Sequence, residues 1–520
     1  MPFRLPISFL IVVALAGLLG TGCVRKQFFQ PDARPDSVRS QPLPASADSV
    51  RGATAGRQYA RHGKLYGALV GQHHRRTWGA PVTVPVLQLA TAQPGGLRPG
   101  KIGGGFNSTS LGLTATGGPG YVLRTVDKDP RRATPRWLRG TFLVNVLRDN
   151  VSATNPYAAL AVPPLAQAVG VPFTSPRLFY VRPDDPAFQR DSLRLFRGQL
   201  ALLEEKAAVP VGRPGLKRAA VVGSDVVFAA LFASLNNRLD QPALLQARLL
   251  DGWLGDWDRH PGQWNWTVNK QAQAGITSYY PLPKDRDMVF YRLDDGALGW
   301  FIGHVALPHW ATFGPRFGKA AHLLSSGKYL DVRGLNSLTR AQFQAAALAM
   351  QQRLPDSLIS RAVRRLPPAA FALEGPRLIA ALQARRAALP RFATDFYQLL
   401  ARNPRLGGTA QAERFEVHRY ADSTVVAIYP AKTAANDAAP PPYRRTFFPG
   451  ETRVIQLEGL GGEDVFVVTE HAAKPVGLPR LRLYGGPGTD EFSKPQNSKG
   501  LRFSQDSAPA KQAYDQLPKE

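Results

Sequence analysis

The sequence predicts an α+β protein laid out in three successive blocks: strands, then helices, then a small all-β module. Three observations carry this. Short apolar runs broken by Gly and Pro begin at Val82, helical apolar spacing dominates 335–403, and strand patterns return over 413–493. The chain has 520 residues, 44% of them hydrophobic and 20% charged, which is enough apolar material for more than one packed core and excludes wholesale disorder. A single Cys excludes a disulfide framework and a Cys-built zinc or iron–sulfur site.

The expected divisions are a lipoprotein leader at 1–22, a flexible tether at 23–80 and a strand-rich region at 81–215. A helical region at 216–405, a β-rich module at 406–498 and a polar tail at 499–520 follow. The leader, MPFRLPISFLIVVALAGLLGTGC, has Arg4, an apolar stretch from Ile7 to Leu19, and then small residues before Cys23. Cys23 resembles the lipidated Cys of a bacterial lipobox, with Leu19 one place early. That implies a chain held at a bacterial membrane, on the periplasmic side of the outer membrane in the favoured reading. The following residues, rich in Arg, Pro, Ser and Gln, read as the tether.

Strands and tight turns are expected over VTVPVLQL, GGGFNSTSLGL and YVLRTV, and further strands at LFYV (178–181) and LALLEE (200–205). Asn155–Val169 reads as an Ala-rich helix interrupted by Pro163 and Pro164, and Pro242–Leu254 as a helix with Pro at its start. Three amphipathic segments, QFQAAALAMQQRL, DSLISRAVRRL and RLIAALQARRAAL, build the helical block.

The densest chemistry lies in Leu249–Phe290. A helix ends at Gly255, and Asp256-Trp257-Asp258-Arg259-His260 follows as a loop. Two short strands, WNWTV and TSYYPL, lead to a second acidic loop, Lys284-Asp285-Arg286-Asp287. A strand pair of this length brings both loops to one end. Carboxylates gathered there can hold a hard cation, and one can orient or deprotonate an attacking hydroxyl. Six of the eight Trp flank this stretch and are read mainly as core. His260, without His or Cys neighbours in sequence, is read as bracing its loop rather than binding zinc.

These motifs resemble the atypical protein-kinase-like fold, and CotH-like proteins most closely, with HipA-type and secretory-pathway kinases beside them. The segments that match are Asp258-Arg259-His260-Pro261-Gly262-Gln263 and Tyr280-Pro281-Leu282-Pro283-Lys284-Asp285-Arg286-Asp287-Met288-Val289-Phe290. The chain is also similar to a group of bacterial envelope lipoproteins carrying GDWDRH and PxDRDxxF. The resemblance implies a two-lobed domain ahead of the β module, with Asp258 as the catalytic-loop carboxylate. It implies Asp285, supported by Asp287, as ligand of Mg²⁺ or Mn²⁺ with ATP. Gln263 stands where such kinases have a metal-binding Asn. Gly103, Gly104 and Gly105 take the place of a phosphate loop, Arg124 or Lys128 that of the phosphate-contacting Lys, and Glu204 and Glu205 that of the nucleotide hinge. Arg124 and Gln263 depart from the pattern, so a non-catalytic envelope binding or assembly protein is the alternative. The Asp256-x-Asp258 pair of a haloacid-dehalogenase phosphatase would follow a strand, and here it follows a helix.

The module contains a loose repeat, Gly461-Gly462-Glu463-Asp464-Val465-Phe466 and Gly485-Gly486-Pro487-Gly488-Thr489-Asp490-Glu491-Phe492. The second copy fits a calcium-binding β-roll repeat, but a single good copy disfavours Ca²⁺ at Asp490, and two glycine turns in a small sandwich are expected. The net charge of +27 favours an anionic envelope surface or an envelope protein as partner. Nucleic acid is disfavoured for an exported chain.

Overall fold

A computed structural model describes residues 29–514, apart from 104–108, 116–117, 119, 131–133, 139–141, 207–218, 272–274, 307–309, 311, 432–439, 473–476, 496–499 and 510–513. The leader, Cys23, Gly104 and Gly105 lie outside the described residues. No described helix is long and apolar enough to cross a membrane.

The first strands, β1 (Ser49–Ala53) and β2 (Val82–Pro85), pair antiparallel. Between them lie short helices at Arg57–Ala60, Lys64–Leu69 and Arg75–Gly79. Ala33, Val50, Tyr59 and Trp78 from this stretch are buried in the largest core. The expected tether is therefore corrected: from residue 29 it is packed structure. Its anchors sit singly among polar residues, so no periodic run announces them. A buried hydrogen bond and a buried ion pair complete the docking. Tyr59 donates to Asp127 at 2.7 Å, and Arg75 grips Asp149 through both terminal nitrogens at 2.7 and 2.6 Å.

The first lobe is a five-stranded antiparallel sheet of β3 (Leu97–Gly103), β4 (Ser110–Ala115), β5 (Gly120–Thr125), β6 (Arg177–Tyr180) and β7 (Leu200–Glu205), in the order β3-β4-β5-β7-β6. Leu111, Leu113, Leu123 and Leu203 fill its own core. The expected helix at 155–169 is also corrected. A 3₁₀ turn over Ala158–Ala161 leads into a helix at Val162–Ala168, which Pro163 and Pro164 open instead of interrupting. Proline needs no N–H partner in a first turn and its φ is already helical.

The second lobe holds helices at Ser224–Ala233, Gln241–Leu254, Arg340–Gln352, Asp356–Val363, Pro368–Ala387 and Leu389–Ala401. Beside them a small sheet has the order β8-β10-β11-β9, from β8 (Val221–Gly223), β9 (Asn237–Leu239), β10 (Trp264–Gln271) and β11 (Ile276–Pro283). Trp253, Trp264 and Trp266 are fully buried and belong to the core, whereas Trp300 is half exposed.

The C-terminal strands are β12 (Arg405–Gly407), β13 (Glu413–Arg419), β14 (Thr424–Pro430), β15 (Tyr443–Phe447), β16 (Val454–Glu458), β17 (Val465–Glu470), β18 (Arg480–Tyr484), β19 (Glu491–Ser493) and β20 (Leu501–Ser504). They form two packed sheets, β12-β16-β18-β20 and β15-β14-β13-β17-β19. From β16 onward the chain steps from one sheet to the other at each strand, and neighbouring rungs pair in parallel. The glycine turns expected from the repeat make these steps, and Gly462 and Gly486 supply the left-handed backbone at φ 101° and 102°. In-register parallel pairing stacks like on like. Phe415, Phe466 and Phe492 stack at centroid distances of 4.5 and 4.9 Å. Glu413, Asp464 and Asp490 stack in the same way. The Glu413 N–H donates to Asp464 at 2.7 Å, and the Asp464 N–H donates to Asp490 at 3.0 Å.

Candidate functional site

Strand alternation decides which residues of the first lobe face the second. In β5 and β7, Leu123 and Leu203 point into the lobe's core, so Arg124, Leu202 and Glu204 share the other face. Arg124 lies directly opposite Leu202, and Glu204 is two residues further along β7. The Arg124 guanidinium donates to Glu204 at 2.9 Å. Glu205, one residue on, turns away and accepts the Ser175 N–H at 2.7 Å. Of the two hinge candidates, Glu204 alone lines the cleft.

The second lobe supplies the loops. Asp240 caps the helix Gln241–Leu254 by accepting the Ala243 N–H at 3.0 Å, and Gly255 ends it in the left-handed conformation, φ 72°. Asp256 through His260 form the next loop. His260 accepts the Gly262 N–H at 3.1 Å and so braces the turn before β10, as expected. Trp264 then pairs with Pro283 across β10 and β11, which carries the two acidic loops to the same end of the hairpin.

Arg259 ties these loops together. It donates to the carbonyl oxygens of Lys284 at 2.7 Å and Asp285 at 3.1 Å, and it lies 4.7 Å over the Trp264 ring. That grip holds Asp285 at φ 57°, a left-handed conformation that Asp tolerates better than most residues. Beneath sits a fully buried carboxylate, Asp251, which accepts from Arg248 at 2.8 Å, from Arg259 at 3.3 Å and from Arg286. Burial alone would raise Asp251, but the guanidiniums of Arg286, Arg259 and Arg248 hold it below the usual carboxylate range. Asp256 accepts from Arg286 at 3.0 Å, yet burial pushes it up to about 7. The sequence reading missed Asp251 and Arg286 as scaffold. Asp251 is hidden in the apolar helix pattern LLDGWL, and Arg286 between two carboxylates reads as a surface residue.

The lobes meet over a cleft. Its charged lining comprises Arg124, Lys128, Glu204, Lys284, Asp285, Arg286 and Asp287, and its apolar wall includes Val162, Pro172, Phe173 and Leu202. Two ion pairs cross from lobe to lobe: Arg124 to Asp285 at 3.3 Å and Lys128 to Asp287 at 2.5 Å. Lys128 lies past the end of β5 but reaches the same cleft. Burial would raise Asp287, and Lys128 holds it down.

The structure thus brings together Arg124, Lys128, Glu204, Asp285 and Asp287. Asp258 stands at the edge of this group, outside the lining, with its carboxyl raised by burial and then by Asp287. Gln263 contributes its backbone, accepting from Arg259 at 3.3 Å and from the Lys284 N–H at 3.1 Å, and is not in the cleft lining. Gly103 ends β3 opposite Ser110 and is likewise not in the lining.

Asp285 and Asp287 are hard oxygen donors, suited to Mg²⁺ or Mn²⁺. Among the described residues no three His, Cys, Asp or Glu side chains converge as a metal-holding group. The carboxylate pair fits a cation that takes its remaining ligands from phosphate and water.

No family model and no curated protein matches the chain. Three solved structures show a distant likeness. A proinflammatory kinase, CtkA, from Helicobacter pylori is 12% identical, with a TM-score of 0.32, over 57% of this chain and 94% of that one. The HipA, HipB and operator DNA complex of a Shewanella oneidensis MR-1 toxin–antitoxin system gives 15% identity and a TM-score of 0.29, over 61% and 76%. The Rio2 kinase complex with ADP, Mg²⁺ and phosphoaspartate from Chaetomium thermophilum gives 16% and 0.20, over 49% and 71%.

Proposed function

We propose that the cleft binds a nucleoside triphosphate and transfers its γ-phosphoryl group to a hydroxyl, in a protein anchored to the bacterial envelope through Cys23. The observation that carries this reading is the pair of lobe-crossing contacts, Arg124–Asp285 and Lys128–Asp287. They place two cations from one lobe and two carboxylates from the other around one cleft, as phosphoryl transfer by positioning and charge stabilisation requires.

Arg124 and Lys128 exchange carboxylate partners for phosphate oxygens when nucleotide enters. The apolar wall of Val162, Pro172, Phe173 and Leu202 takes the base. A divalent cation held by Asp285 and Asp287 would neutralise phosphate charge. Asp258 orients the acceptor hydroxyl and takes its proton as the oxygen–phosphorus bond forms. The bond to the bridging oxygen breaks, and its electron pair leaves on the diphosphate. The raised pKa of Asp258 suits a proton acceptor.

The test is phosphoryl transfer from labelled ATP to an envelope extract or to the chain itself. Asp258→Ala is expected to lower the rate by about 10²–10⁴-fold, the span of general acid–base catalysis. An unchanged rate refutes the assignment. One feature favours a second reading, a non-catalytic binding protein on the same fold: Gln263 directs no side chain into the cleft lining. In that case binding to anionic vesicles is strong, falls with salt and is indifferent to Asp285→Asn.

A further inference from the structure

In-register parallel pairing stacks like residues, and in the C-terminal coil each stack meets a different requirement. The phenylalanine stack needs nothing beyond itself. The carboxylate stack is held by backbone N–H groups. A third row, across the first of the two sheets, runs Arg405, Gln456, Arg482 and Arg502. Arg480 lies one rung-pair away, opposite Val454, on the same face of β18 as Arg482.

Ile455, Leu457, Leu481 and Leu483 point into the module's core, so this arginine row lies on the opposite face. There an open groove is lined by Asn403, Pro404, Arg405, Arg453, Val454, Gln456, Arg480 and Arg482, with no carboxylate among them. Among the described residues Arg453, Arg480 and Arg482 form no ion pair and no side-chain hydrogen bond. Like charges side by side on a sheet destabilise it unless an anion lies between them. Guanidinium forks match phosphate oxygens two at a time, and one monovalent anion would leave most of this charge uncompensated.

We propose that this groove is a binding site for a ligand carrying two or more phosphate groups, held by Arg453, Arg480 and Arg482. The groove and the cleft share no lining residue, so the proposal stands apart from the reading of the cleft.

The test titrates the full chain with inorganic tripolyphosphate. Separately, the chain is titrated with phosphatidylcholine vesicles with and without cardiolipin, whose headgroup carries two phosphates. The variants are Arg480→Ala with Arg482→Ala, and a charge-matched control, Arg353→Ala with Arg361→Ala, on the helical lobe. Tripolyphosphate held in the Arg124–Lys128 cleft contributes equally to all of them and cancels. The groove variant is expected to bind about tenfold or more weakly than the chain itself, and the control within about twofold. Loss with tripolyphosphate alone assigns a free ligand, loss with cardiolipin vesicles alone a lipid headgroup, and loss in both the shared chemistry. Equal binding by the groove variant in both arms overturns the proposal. Citrate binding as tightly as tripolyphosphate overturns the phosphate assignment. The single Arg480→Ala variant, at an exposed position, repeats the test with a smaller loss should the double variant fail to fold.

Discussion

In the cleft, Asp285 and Asp287 each face a cation brought from the other lobe, at 3.3 and 2.5 Å. In the C-terminal coil, Asp464 and Asp490 face backbone N–H groups and a neighbouring carboxylate. The same side chain then titrates in opposite directions. Lys128 holds Asp287 down against its burial, while burial, with Glu413 and Asp490 adding, pushes Asp464 up to about 8. A charged partner holds a buried carboxylate ionised. Burial beside other carboxylates outweighs the backbone N–H, which favours the ionised form, and keeps Asp464 protonated. One oxygen of Asp464 and one of Asp490 are buried without a hydrogen-bond partner.

The largest break in this comparison comes from Asp251→Ala. It leaves Arg248, Arg259 and Arg286 without their shared buried carboxylate, and removing one partner of a buried ion pair costs about 3–5 kcal/mol. Urea unfolding should show this loss, and a loss below about 1 kcal/mol would mean that the network does not hold the two loops.

Much of this architecture is legible in the residues. The strand YVLRTV, the helix ending at Gly255 and the hairpin that joins two acidic loops all follow from local patterns and stand as expected. The parts that were not legible depend on distance in sequence. Tyr59 and Trp78 find their core only through contacts with residues far along the chain, and a lone Asp in LLDGWL gives no sign of three arginine partners. Alternation in β7 separates Glu204 from Glu205, which a motif alone treats as equivalent.

A smaller effect sharpens the same contrast through pH. Glu413 and Asp464 have folded values of about 7 and about 8, above the unfolded carboxylate range near ~4. The folded chain therefore holds more protons than the unfolded chain across that window. The stability this supplies is complete below the unfolded value and is lost as pH rises through about 7 and then about 8. The urea midpoint should fall from pH 5 to pH 9, and Asp464→Asn should flatten that fall by roughly 1 kcal/mol or more. An identical slope in the variant would show that the coil is indifferent to the proton.

Smaller still is the effect of Arg259→Lys. One guanidinium nitrogen of Arg259 holds both the Lys284 and Asp285 carbonyls while the other two bind Asp251 and Gln263; a single ammonium cannot serve all four, so the left-handed Asp285 loses part of its restraint, worth roughly 1 kcal/mol. Nucleotide affinity should fall with little change in secondary structure by circular dichroism. A variant with unaltered affinity would separate loop position from binding. The acidic limb of the pH–rate profile should lie above the ordinary carboxylate range and should vanish in Asp258→Ala, because burial and Asp287 raise Asp258.

The most direct measurement of the central claim is a thermal shift on the full chain with ATP and either Mg²⁺ or Mn²⁺. A ligand at 100 times its dissociation constant stabilises the folded state by about 2.7 kcal/mol. A rise in Tm that requires the metal and disappears in Asp285→Asn is the expected result. No shift with either metal, or an equal shift in Asp285→Asn, would contradict a nucleotide site built on the lobe-crossing pairs.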